Sequence, residues 1–296
     1  MKHNNSIILK GYIFAIFSAV IYGCMPLMAK YIYDDGVNPF TLVFLRNFFS
    51  LIPLALLALR EKKSLRIDAK SLPMISLISF LGCCITPILL FTSYRFIPSG
   101  TATVFHFAYP AFVVIGSAIF SKDKPKIHNY LCVIMCIFGI SLFYSPDQPL
   151  NLSGSLLSLS SAITFAAYVI ILTTFKKITG FIFAFYVTVA SSFFSLIICL
   201  CTNSLSFPST VSGWALCILF SLLVTTCAVV LFQQSTFLIG GSRASILSTL
   251  EPITSIIIGV VVFNEVLRFT VIISAILVIG ASILTAVFDI IKSKRT

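Results

Sequence analysis

The sequence is cut into apolar runs about as long as a bilayer is thick. Membrane hydrocarbon is about 30 Å deep, so a helix rising about 1.5 Å per residue needs about 20 apolar residues to cross it. Ten stretches read this way: residues 10–31, 40–59, 72–94, 99–120, 128–145, 152–175, 181–201, 212–236, 243–264 and 269–290. The breaks between them carry turn chemistry, as in Asp34-Asp35-Gly36, Lys122-Asp123-Lys124-Pro125, Pro146-Asp147-Gln148-Pro149 and Phe207-Pro208-Ser209. The pattern predicts an all-α integral membrane protein with ten transmembrane helices. Composition excludes the soluble alternative. Only 10% of residues are charged, whereas a soluble domain uses about a quarter to cover its surface. Little chain remains outside the runs, so any function has to sit among the helices.

The first run is longer than the roughly 7–15 residues of a signal-peptide core. Ile21-Tyr22-Gly23-Cys24 places a bulky tyrosine where a lipoprotein cleavage box needs a small residue, so this run is expected to be retained as a helix. The net charge of +11 does not point to nucleic acid, because the cations lie in short loops and tails. With the N-terminus inside, the inner segments hold sixteen Lys and Arg, and the outer segments hold only Lys30, Arg95 and Arg268. That asymmetry predicts cytoplasmic N- and C-termini in a plasma (inner) membrane. It also supports an even number of spans. The lipid bilayer and a small-molecule solute are the expected partners; monomer and homodimer stay open.

The chain repeats itself. Leu9-Lys10-Gly11 and Ser18-Ala19 return as Leu152-Ser153-Gly154 and Ser161-Ala162, a shift of 143. Ala102 with Pro110 matches Ala244 with Pro252, and Asp123 matches Glu265, a shift of 142. Gly139-Ile140-Ser141 matches Gly280-Ala281-Ser282 after a one-residue slip. Residues 1–147 and 148–296 are therefore expected to form two five-helix repeats. Five is odd, so the second repeat enters the membrane upside down, an arrangement that recurs in carriers whose one site faces each side in turn.

With this pattern in hand, the sequence resembles the ten-helix, EamA-type members of the drug/metabolite transporter superfamily. The residues that carry the likeness are Leu250-Glu251-Pro252 with Glu265 thirteen residues on, Tyr109-Pro110 followed by Asp123, and Pro39 through Arg46. The first half departs from the pattern, having Tyr109 where the second has Glu251 and Lys122-Asp123-Lys124 where a Glu often sits. The resemblance implies a central cavity lined by the first, third, fourth, sixth, eighth and ninth helices. It implies transport of amino acids, metabolites, nucleotide-linked compounds or drugs.

Ionisable residues inside the runs are where function is sought, since each is costly in hydrocarbon and tends to face a cavity. Glu251 lies about 13 Å into its helix; it reads as a contact for a solute amine or as a proton carrier, or as a packing contact beside Pro252. His106 and Tyr109 share a helical face and pair with Ser248 and Glu251 in the repeat register. Together the four form an expected solute face, with His106 alternatively a buried histidine bonded to a Ser or Thr. Tyr22 and Tyr168 are candidate aromatic walls, and Gln233 is a candidate hydrogen-bonding contact. Arg46, about 9 Å from its helix end, reads first as an interfacial anchor or structural ion pair, and otherwise as a carboxylate or phosphate contact. Arg95 reads as a loop-end anchor, Trp214 as an interfacial belt residue, and Asp34-Asp35 as a turn. Pro26, Pro53, Pro87, Pro110 and Pro252 are expected to interrupt helices.

All nine cysteines fall in apolar runs, with no Cys-x-x-Cys, so no metal site is expected. There is no P-loop and hence no expectation of ATP drive. No cofactor or catalytic residue is assigned. The leading reading is a secondary transporter, with export of a small metabolite such as an amino acid favoured. An intramembrane lipid-modifying enzyme or a channel or receptor are the competing ones.

Overall fold

The structure, a computed structural model, describes residues 2–61, 67–109, 111–113, 151–175, 180–239, 250–263 and 269–293. It also describes isolated positions at 116, 131, 134, 135, 138, 139, 142, 244, 247 and 248. Among the described residues there are helices and connecting turns and no strand. Helix α1 is Lys2–Asp34, α2 Pro39–Arg60, α4 Ser99–His106, α5 Leu152–Thr174, α6 Gly180–Cys201, α8 Leu250–Phe263 and α9 Phe269–Ser293. Two further helices change pitch on the way. Helix α3, Ala69–Ser93, widens into a π-helical stretch at Ser79–Ile85. Helix α7, Val211–Ile239, does the same at Ser221–Val229. Within the described residues six helices are long and apolar enough to cross a membrane: α1 from Ile8, α2, α3, α5 to Leu172, α6 and α7. The expected fifth span, 128–145, lies largely outside the described residues.

The apolar side chains that face outward lie along helical stripes. On α2 these are Phe48, Ile52, Leu56 and Leu59, and on α6 Val189, Phe193, Ile197 and Leu200, all exposed. Water would penalise such stripes by about 25 cal/mol per Å2, so they are lipid-facing surfaces, and this is an integral membrane protein. The interior is mixed: small and hydroxyl residues let helices approach and bond across. Ser221 Oγ donates to the Arg46 carbonyl at 2.6 Å and lies 2.6 Å from Ser50 Oγ, tying α7 to α2. Ser18 Oγ donates to the Ala228 carbonyl, tying α1 to α7.

Helices α2 and α6 pack along their lengths and run in opposite directions. At one end Asn38, which caps α2 by accepting from Thr41 N, also holds the loop after α6 through Ser204 and Ser206. At the other end Glu61 Oε1 accepts from Phe181 N at the start of α6. The partners of the outer helices exchange between the halves. Helix α1 packs on α7 and α8, whereas α5 packs on α3 and α4. Gly11 on α1 sits so close to Ile239 that a Cβ would approach its Cγ2 to 2.3 Å, and Gly154 on α5 sits against Ile97 and Phe96 in the same way. Gly11 and Gly154 are 143 apart, and Ile97 and Ile239 are 142 apart. The two π stretches begin at Ser79 and Ser221, again 142 apart.

Three sequence expectations are corrected. Pro26 and Pro53 do not interrupt their helices; α1 and α2 continue through them. Pro87 follows the π stretch, and its missing N–H deprives the Cys83 carbonyl of its i+4 donor; Asn47 Nδ2 donates to that carbonyl at 3.3 Å. Residues 99–120 do not form one unbroken helix. The α-helical ladder of α4 ends at His106, and Phe107 and Ala108 form a turn in which Ala108 N bonds the Phe105 carbonyl at 3.1 Å. Pro110, expected to interrupt this stretch, lies outside the described residues.

Candidate functional site

Near the middle of α1, at Tyr22, the helices enclose a cavity of about 70 Å3. Helix α1 contributes Tyr22 and Met25, and α2 contributes Arg46. From α3 come Gly82, Cys83, Thr86, Pro87, Leu90 and Phe91, so the π stretch is part of the wall. His106 and Tyr109 stand at the end of α4 and the turn after it, Phe165 and Tyr168 on α5, Val229 and Phe232 on α7, and Ser248 and Glu251 at the start of α8. The volume holds a few waters and is well below the roughly 300 Å3 at which drug-sized pockets begin.

The wide π turn makes room for the aromatic wall. Thr86 Oγ1 bonds back to the Leu81 carbonyl at 2.7 Å and lies 2.7 Å from Thr164 Oγ1 on α5. Beside it Gly82 has no side chain because the Tyr168 ring occupies that space; a Cβ would come within 2.2 Å of Cδ2. Phe165 is the hub of the wall. Its ring centre is 4.8 Å from Tyr109, 5.2 Å from His106, 5.4 Å from Tyr168 and 6.2 Å from Phe232.

Six of the seven expected site residues, His106, Tyr109, Ser248, Glu251, Tyr22 and Tyr168, line this one cavity. The seventh, Gln233, is buried on α7, next in the chain to the wall residue Phe232, but is not among the residues that line the cavity. His106 is bonded to a serine as its second reading expects, with Nδ1 2.8 Å from Ser161 Oγ, and it also lines the cavity. Ser248 Oγ donates to the Ala244 carbonyl at 3.0 Å. Arg46 is neither an interfacial anchor nor half of an ion pair with a described residue. It is 4% exposed, lines the cavity, and its guanidinium carbon lies 5.6 Å from the centre of the Phe91 ring. Distance from a helix end gave its depth but not the direction of its face. Phe165 was missed because a phenylalanine in an apolar run looks like any lipid-facing one; it lies three residues before Tyr168 and so on the same face.

A second cavity, of about 320 Å3, lies toward the C-terminal end of α1. The same chain segments line it: Pro26, Lys30 and Tyr33 on α1, Tyr94, Arg95, Phe96 and Ile97 after α3, and Pro98 and Ser99 at the start of α4. Tyr33 Oη donates to the Phe91 carbonyl at 3.3 Å between the two spaces.

Lipid-facing helices whose halves exchange partners around one polar-aromatic cavity define the architecture of a membrane transporter. The EamA-like transporter family model matches residues 9–145 and again 152–287. The chain belongs to that family. Among similar proteins, an uncharacterized transporter of Clostridium kluyveri is 22% identical over 292 residues, covering 93% of this chain and 92% of that one. The uncharacterized inner membrane transporter YicL of Salmonella typhimurium is 26% identical over 269 residues, covering 86% and 88%. A solved crystal structure shares the fold, with a TM-score of 0.67 at 14% identity over 94% of this chain and 96% of the other.

Proposed function

We propose that this protein is a secondary transporter that exports a small organic metabolite, such as an amino acid, by alternating access through the central cavity. Residues 1–147 and 148–296 form the two inverted repeats of five helices each, with both termini in the cytoplasm of a bacterial plasma membrane. The observation that carries the reading is the cavity itself. It lies at mid-span depth between the halves and gathers two ionisable side chains of opposite sign, a histidine and an aromatic wall, the mixture a small polar organic solute needs. The opposite directions of α2 and α6 support the inversion, and the sixteen-to-three split of loop cations supports the orientation. Glu251 is the candidate for coupling to protons, and His106, Tyr109, Ser248, Tyr22, Tyr168 and Gln233 are proposed to bind or position the solute.

Purified protein in liposomes, loaded with a mixed panel of amino acids and other metabolites, tests the reading. Saturable release of at least one compound, above protein-free liposomes, is the expected result. Absence of any solute flux together with chemical modification of the lipids would replace it with an enzymatic function.

A further inference from the structure

We propose that Arg46 is the docking point for a carboxylate on the solute, a role that rests on the transporter reading above. A cation in the middle of a membrane protein is normally paired or hydrogen-bonded. Arg46 is 4% exposed, yet its side chain makes no hydrogen bond or ion pair with any described residue, and its Nε is buried without a partner. Its neighbour is the face of Phe91, which leaves the edge of the guanidinium, where the N–H donors lie, unused. The backbone beneath it is pinned, because the Arg46 carbonyl accepts from both Ser50 and Ser221 hydroxyls. The side chain is therefore presented from a fixed base, as an anion-binding group has to be.

Glu251 lines the same cavity and forms no ion pair with Arg46. The site thus presents two ionisable groups of opposite sign that are not paired with each other, in a wall that also holds Phe165 and Tyr168. That arrangement selects the anion. A single guanidinium matches a carboxylate monoanion in a two-pronged fit. A phosphate dianion would leave one charge uncompensated near Glu251. The solute accordingly carries a carboxylate at one end and an ammonium or other donor for Glu251 at the other. The second cavity agrees in sign: Lys30 and Arg95 line it, no described acid does, and it lies along the same helices.

The probes are L-leucine, L-methionine and L-phenylalanine, each against its carboxamide, which keeps the shape and the amine but loses the carboxylate. Binding is read as the melting temperature of detergent-purified full-length protein across a ligand titration, and transport as flux into liposomes. At least one acid is expected to bind ~10–100-fold more tightly than its amide, the size of a charge-assisted bond. Arg46→Gln should erase that preference and Arg46→Lys should keep part of it. Equal binding of acid and amide, no binding of any acid, or full preference in Arg46→Gln overturns the assignment. If Arg46→Gln fails to fold, Arg46→Lys decides: a weakened preference supports the assignment and an unchanged one overturns it. Acids that bind with the expected preference but never cross the membrane support the Arg46 site and contradict the transporter reading instead.

Discussion

Glu251 and Gly82 show how single residues set what the cavity does. Glu251 faces the cavity from the first turn of α8, where a proton taken up or released changes the charge that the solute meets. Flux into liposomes under an imposed pH gradient should respond to the gradient in the wild type and become insensitive to it in Glu251→Gln. A gradient response that survives the substitution removes Glu251 as the proton carrier. Gly82 acts by having no side chain. Adding one methyl drives into the Tyr168 ring, so Gly82→Ala should cost about 1–3 kcal/mol of stability and weaken solute binding, measured by denaturation and by ligand-induced thermal shift. Much of this site was legible in the sequence because a Glu, His or Tyr stands out in an apolar run. Phe165 was not, since lining a cavity and facing lipid call for the same side chain. Arg46 stood out too, but that it meets no partner among the described residues depends on which way α2 turns its face, and the packing of α2 on α3, α6 and α7 fixes that. Gln233 was legible as polar, but not as a residue buried outside the cavity lining.

At the scale of helices, length and hydropathy carry the information. The expected bounds of α2, α5 and α6 differ from the structure by at most one residue at each end, because lipid demands a fixed length and loops follow at once. Pitch was not legible. Nothing in the composition of Ser79–Ile85 or Ser221–Val229 marks a π turn, and their matched positions become visible only when both are seen. Proline was misread in α1 and α2, which run on through Pro26 and Pro53, because a membrane helix tolerates a proline when its surroundings re-satisfy the freed backbone. The repeat makes a paired prediction. Gly11→Val and Gly154→Val fill equivalent contacts, against Ile239 and Ile97, so each should destabilise the protein by about 1–3 kcal/mol. Thermal denaturation in detergent checks this; a large effect at one glycine and none at the other would break the equivalence of the two helix pairs.

At the scale of the whole molecule, α2 and α6 place Asp35 and Ser209 at one end and Glu61 and Phe181 at the other. In a background without native cysteines, Asp35→Cys and Ser209→Cys should be labelled by an impermeant thiol reagent from outside intact cells. Glu61→Cys should be labelled only after the membrane is opened. The reverse pattern would invert the orientation drawn from the loop cations. What remains central is that solute crosses through one site that faces the two sides in turn, and counterflow tests that most directly. Liposomes containing the protein are loaded with an excess of unlabelled solute, and a trace of labelled solute is added outside. A carrier reorients faster when loaded, so labelled solute should accumulate transiently above its outside concentration. Flux that merely equilibrates, with no overshoot at any internal load, would contradict alternating access and leave a pore in its place.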